Sequence, residues 1–130
     1  MAVIPYVIDV NTRTVKVVRW PAMANGDVGQ GFPMASWYAD KTVEVVAGTF
    51  GTGGKVEIQG TNQFTDPVAK SEPATGAYRP CEDAALALLD IITTDHQLKH
   101  LLSNPYWIRP AIIAGDGTTS LGVILCMKKS

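Results

Sequence analysis

Turn residues punctuate this chain at intervals too short for long helices. "NTRT" (11–14), "NGDVGQGFP" (25–33), "GTFGTGG" (48–54), "GTNQFTDP" (60–67), "SEPATG" (71–76), "SNP" (103–105) and "GDGTTS" (115–120) all carry turn chemistry. Between them lie short runs rich in Val, Ile, Thr and aromatics: "TVKVVRW" (14–20), "KTVEVVA" (41–47), "KVEIQ" (55–59), "WIRPAIIA" (107–114) and "SLGVILCM" (120–127). Each reads as a strand. Residues 42–45 and 55–59 alternate polar with apolar, as a strand with one wet face requires. "GVILC" is apolar throughout, which predicts a strand covered on both faces. Short strands in regular succession predict one mainly β domain over residues 1–130, an antiparallel, jelly-roll-like β-sandwich.

The exception is "CEDAALALLDIITTDHQLKHLLSN" (81–104), which lacks both Gly and Pro. Glu82-Asp83 before alanines and leucines resembles a first helical turn, and Leu98, Leu101 and Leu102 form an apolar stripe at helical spacing. The β-branched run Ile91 to Thr94 favours a strand instead. The balance leans to strand for 86–93, with one short helix within 82–103 left open.

The glycine-rich stretch "AGTFGTGGKVEIQG" (47–60) invites a phosphate-binding reading, and spacing rejects it. A P-loop ending at Lys55 needs glycine at position 49 and a hydroxyl at 56, where Thr49 and Val56 stand. The dinucleotide fingerprint fails at Val56 as well. The residues after the glycines alternate as a strand does, whereas both phosphate motifs open a helix. The stretch is a hairpin turn.

Other chemistry fails on similar grounds. His96 and His100 stand at i, i+4, but Gln97 occupies the place of a metalloprotease glutamate, and no third ligand is evident. Asp27 and Asp116 sit in turns without the acidic spacing of a calcium loop. No serine lies in a nucleophile elbow. Cys81 and Cys126 are too far apart in sequence for a C-x-x-C redox pair or a zinc knuckle, and they are expected to be free thiols, with a single disulfide between them left open. The reading is a protein that is not an enzyme and has no cofactor or metal. The formal net charge of −1 argues against a nucleic-acid partner. No apolar run is long enough for a membrane helix, and the first twenty residues lack the pattern of a secretory signal.

The aromatics point towards binding. Trp20, Phe32, Trp37 and Tyr38 surround the segment 21–37, which also carries Met23 and Met34, and such residues are enriched in interface cores. Capping of the sandwich core is the competing reading for most of them. Tyr106, Trp107 and Arg109 pose the same question. The apolar start, "MAVIPYVIDV", suits either a core strand or an extended arm that adds to a neighbour's sheet.

Gly26-Asp27-Val28-Gly29, the Gly48–Gly51 hairpin, the Val56–Asn62 strand and the Arg109–Val123 hairpin, in this order, resemble a group of small structural proteins of tailed bacteriophages. The resemblance spans roughly residues 20–125, with a gap around 65–103. It implies a β-sandwich virion component, most simply a head decoration, or cement, protein made in the host cytoplasm and carried on the capsid surface. Its implied partners are the major capsid protein and further copies of itself, as a dimer or trimer. The residues expected to make the contacts are Val3, Ile4 and Tyr6 in an arm over residues 1–10, with Trp20, Phe32, Met34, Trp37 and Tyr38 around the segment 21–38. Two alternatives remain: a tail or head–tail joining component, and a carbohydrate-binding sandwich using Trp37, Tyr38 and Trp107.

Overall fold

The computed structural model describes residues 1–83, 90–91 and 98–129. In chain order the strands are β1 (Val3–Ile4), β2 (Val7–Asn11), β3 (Val15–Ala24), β4 (Val28–Gly29), β5 (Asp40–Thr49), β6 (Lys55–Thr61), β7 (Arg79–Pro80), β8 (Asp90–Ile91), β9 (Leu98–Leu101), β10 (Trp107–Ala114) and β11 (Ser120–Lys128). They form two sheets, one ordered β1-β4-β10-β6-β7 with β8 also on β6, the other β2-β3-β11-β5-β9. The sheets pack face to face as a β-sandwich, as the turn spacing predicts. Among the described residues all pairings are antiparallel except β1 with β4.

Period-two burial builds the core. One sheet sends Val18, Trp20 and Met23 from β3, Val43 and Val45 from β5, and Leu121, Val123, Leu125 and Met127 from β11. The other sheet answers with Val56 and Ile58 from β6 and Ile108 and Ile112 from β10. Each fully buried aliphatic side chain contributes about 1.5–3 kcal/mol. The strand covered on both faces is β10, where Trp107 through Ile112 are all buried. On β11, expected to be so covered, Ile124 and Cys126 are only half-buried. The outer face of β10 is roofed by the segment after β6. Phe64 lies 5.8 Å from the Trp107 ring, and the Arg109 guanidinium stacks 3.9 Å from the Tyr78 ring centre.

Four expectations need correction, the hairpin reading of the glycine-rich turn among them. Strand β3 continues through Pro21 to Ala24, four residues into the segment read as loop. Its register against β11 shifts there, and a bulge tolerates a proline that a regular ladder would not. Residues 98–101 are strand β9 rather than a helical turn. Leu101 and Lys99 pair with Lys41 and Val43, while Leu98 and His100 face outward, so the period is two. The residues 1–10 are folded onto their own sandwich rather than extended from it. The Val28 and Gln30 N–H groups donate to the Ala2 and Ile4 carbonyls, and β2 pairs with β3. Within the strand reading of 86–93, Asp90–Ile91 is strand, and its other residues lie outside the described ones, as does His96.

The glycine-rich turn has a structural task. The Thr52 N–H donates to Asp116 Oδ2 (2.8 Å), and Thr118 donates twice to Asp116 Oδ1, from its N–H (2.8 Å) and its hydroxyl (2.6 Å). These bonds hold the Asp116 carboxyl well below the usual carboxylate range. The Thr119 hydroxyl donates to the Phe50 carbonyl (2.8 Å), so the β5–β6 and β10–β11 connections clasp one another. Neither is the hairpin that the sequence predicts, because β5 and β11 lie in one sheet and β6 and β10 in the other, so both turns cross between the sheets. Gly51 has φ +69°, and a Cβ there would collide with the Asp116 carboxylate. Gly51→Ala is therefore expected to cost roughly 1–3 kcal/mol, a fall of several degrees in Tm. Gly117→Ala, in open space without positive φ, serves as the control. Equal Tm values for the two variants in calorimetry would refute the clasp.

Candidate functional site: the cationic, aromatic end of the sandwich

One end of the sandwich gathers the β2–β3 hairpin, the residues before β5 and the end of β11. The hairpin turn is closed by Thr12, whose N–H donates to the Val15 carbonyl while its hydroxyl accepts from the Val15 N–H (both 3.0 Å). This projects Arg13, while Lys16 follows on β3. The Lys129 N–H donates to the Thr14 carbonyl (2.9 Å), which fixes the third cation beside the first two.

Opposite them stands a single 3-10 turn, Ala35–Trp37, entered through Met34 at φ 60°. Beneath it Lys41 is fully buried. Its ammonium donates to the Tyr38 carbonyl (2.6 Å) and to Asn104 Oδ1. Asn104 in turn donates to the Ser36 carbonyl (3.1 Å), and the Ala35 N–H donates to the Tyr106 carbonyl (2.9 Å). A buried cation thus anchors the turn that displays Trp37, which is 63% exposed. Burial lowers the Lys41 pKa to about 8, against the smaller opposing pulls of Cys81 and Asp40. Burial likewise pushes the Cys81 thiol up to about 12, with Lys41 opposing.

Between these walls lies an open cleft of about 490 Å³, lined by Asn11, Thr12, Arg13, Lys16, Trp37, Tyr38 and Lys129. Its lining holds three cations and no carboxylate. Lys129 Nζ sits 5.4 Å from the Trp37 ring centre, in cation–π range. A smaller cavity of about 90 Å³ shares Lys16, Trp37 and Tyr38 and continues over Phe32, Pro33 and Met34. The cleft offers charge, amide, hydroxyl and aromatic surface, a chemistry of binding. Among the described residues no three His, Cys, Asp or Glu side chains approach closely enough to hold a metal.

The expected contact residues divide sharply. Val3 (55%), Met34 (40%) and Trp37 (63%) are exposed. Trp20, Phe32 and Tyr38 are core residues, so their aromatic area is already spent within this chain. Ile4 and Tyr6 pack partly buried against that core, with the Tyr6 ring edge-on to Trp20 and Phe32. Trp20 is further held by its indole N–H, which donates to the Gln30 carbonyl (2.9 Å), over Gly29, where any Cβ would strike the ring. The aromatics named for a sugar platform share no exposed face, because Tyr38 and Trp107 are buried. Asp27 spends its carboxylate on the Ala2 and Ala24 N–H groups and Asp116 on its clasp, as turn chemistry predicts. Sequence reasoning misses Arg13, Lys16 and Lys129. Only the pairing of β3 with β11 brings them together, and the alternation of "TVKVVRW", which puts Lys16 in phase with Val18 and Trp20, gives no signal for it.

No protein-family model matches the chain, and no curated protein matches it by sequence. Among solved structures the fold is similar to that of the SPBc2 prophage-derived protein YomS. The likeness has a TM-score of 0.54 at 10% sequence identity, over 92% of this chain and 98% of that one. It extends across both sheets and concerns the fold.

The Lys41 anchor makes stability depend on pH in an unusual direction. Between about pH 8 and 10.5 the unfolded chain still carries a proton that folded Lys41 has released. The unfolded state then binds more protons, so stability rises with pH. From pH 7 to 9 the expected gain is about 1 kcal/mol, before Cys81, raised from 9.0 to about 12, begins to act in the opposite sense. Urea unfolding across this range should show the rise in the native chain and none in Lys41→Met. A rise that persists in the variant would remove Lys41 as its source.

Proposed function

We propose that this protein is a bacteriophage virion component that decorates the head shell and stabilises it by bridging capsid subunits. The observation that carries the reading is the match of fold, across nearly the full length of both chains, to a prophage-derived protein. It agrees with the sequence resemblance to phage structural proteins. The motifs behind that resemblance are the ones that hold the sandwich: Asp27 on the first residues, and the clasp of the glycine-rich β5–β6 connection on Asp116.

The surface suits a protein that binds. Val3, Val7, Ile8, Val10, Met34 and Trp37 are all exposed apolar side chains, mostly on strands that end a sheet. On a repeating shell, contacts that are individually weak add through multivalency. Binding only to the assembled state stabilises that state by mass action.

Quantitative mass spectrometry of purified particles of the encoding phage tests the reading. A copy number comparable to the major shell protein is expected. A handful of copies per particle would transfer the protein to the tail or the head–tail junction, and absence from particles would overturn the virion assignment. Paired replacements Val3→Asp and Trp37→Ser, both at exposed positions, are expected to lower occupancy at least about tenfold while leaving Tm within a few degrees. Deletion of residues 1–10 is a poorer test, because it would strip Ile4 and Tyr6 from the core.

A further inference from the structure

The cleft at the cationic end and the small cavity beside it form one continuous surface of two chemistries. The first part is ringed by Arg13, Lys16 and Lys129, and among the described residues none of the three is paired with a carboxylate. The second is lined by Pro33 and the exposed Met34, with the nearly buried Phe32 beneath them. Lys16, Trp37 and Tyr38 belong to both, so the cationic and apolar parts meet at the exposed Trp37 ring. We propose that this surface is a docking site for a short acidic segment of a partner protein, in which two or three carboxylates stand next to one apolar side chain.

Charge complementarity selects the occupant. Three cations lining one cleft, one of them over the Trp37 indole, leave a local positive excess on a chain whose formal net charge is −1. Carboxylates entering the cleft would meet Arg13, which can take one through two parallel N–H bonds, and the ammonium groups of Lys16 and Lys129. Lys129 already lies over the Trp37 face, so its approach to a carboxylate requires little reordering. The adjoining cavity, at about 90 Å³, has room for one aliphatic or small aromatic side chain. A polyphosphate backbone would gain nothing from that apolar floor, and a nucleic-acid site ordinarily spreads its cations along a stripe. The 3-10 turn is held from below by Lys41 and Asn104, so the site is largely formed before binding.

This inference rests on the reading of the protein as one that binds a protein surface, and it adds which end of the sandwich binds and what it selects. The test uses the whole chain and the peptide acetyl-Glu-Asp-Glu-Asp-Leu-Phe-amide, titrated by calorimetry at low salt. Saturable binding is expected, weakened at least about tenfold by Arg13→Ser with Lys129→Ser, and similarly by replacing the peptide's acids with Gln and Asn. Raising the salt to about 0.5 M should weaken it further, because the pairs are solvent-accessible. No binding, equal binding of the neutral peptide, or indifference to the double variant would overturn the proposal. Tighter binding of a thymidine oligonucleotide than of the acidic peptide would also overturn it, in favour of a nucleic-acid site. Failure of the virion assignment reads out separately, as absence of the native protein from particles, and leaves the peptide titration to decide the cleft by itself.

Discussion

Interdigitation of the inner faces of β3, β11 and β5 with those of β6 and β10 is the interaction on which the rest of the molecule depends. Trp20 is its largest member, and its placement dictates much of what surrounds it. The indole lies against the backbone at Gly29 and bonds the Gln30 carbonyl, which draws β4 over the core. Tyr6 then packs edge-on against it, which brings the first residues across from one sheet to the other. The N-terminal segment is therefore structural before it is anything else: β1 ends one sheet and β2 ends the second.

A sandwich has two open ends, and this one closes them by different means. At one end the two glycine-rich connections that cross between the sheets clasp through Asp116 and Thr119, a closure of hydrogen bonds to backbone groups. At the other end a lysine is buried whole, and its ammonium replaces lost water with the Tyr38 carbonyl and Asn104. Burying a cation is costly unless its donors are satisfied, so the loops that satisfy it are held tightly. That cost is what fixes Trp37 in the open beside Arg13, Lys16 and Lys129. The rigidity of the candidate site and the depressed Lys41 pKa have one cause.

The strands and the fold class were legible in the sequence because turn residues and period-two alternation are local signals. "KVEIQ" and "KTVEVVA" occupy β6 and β5 nearly as spaced. The rejection of the phosphate loop was legible for the same reason, since Thr49 and Val56 break the motif wherever the chain folds. What could not be read was everything that depends on pairing across the sandwich. The aromatic residues were correctly singled out, yet sequence cannot separate Trp20, which faces the core, from Trp37, which faces solvent. Lys41 opens an alternating strand in phase with the inward Val43 and Val45, but its charge alone assigns it to water. The structure buries it because its partner on β9 is Leu101 and its ammonium reaches the nearby Tyr38 carbonyl and the side-chain amide of Asn104, far off in sequence. Leu98 and Leu101 misled through helical spacing, because i, i+3 is also the separation of one outward and one inward residue on a strand.

The exposed edge at β2 bears on why a chain of this kind would assemble. All five of its residues are exposed, three of them apolar, and among the described residues no strand pairs with its outer side. Sheet proteins that live as monomers usually guard such an edge with lysine, proline or a twist that spoils further pairing. Here the guards are weak. The one charge on β2, Asp9, is tied to Arg19 of β3 by two bonds and so points its charge back along its own sheet. A register shift between Ile8 and Val10 adds some twist, but it leaves Val7, Ile8 and Val10 open to contact. An edge kept apolar and uncharged is a liability for a free chain and an asset for one whose working state is covered. A chain that works while bound to a larger surface would meet that condition, because the edge that drives aggregation in solution would then be covered.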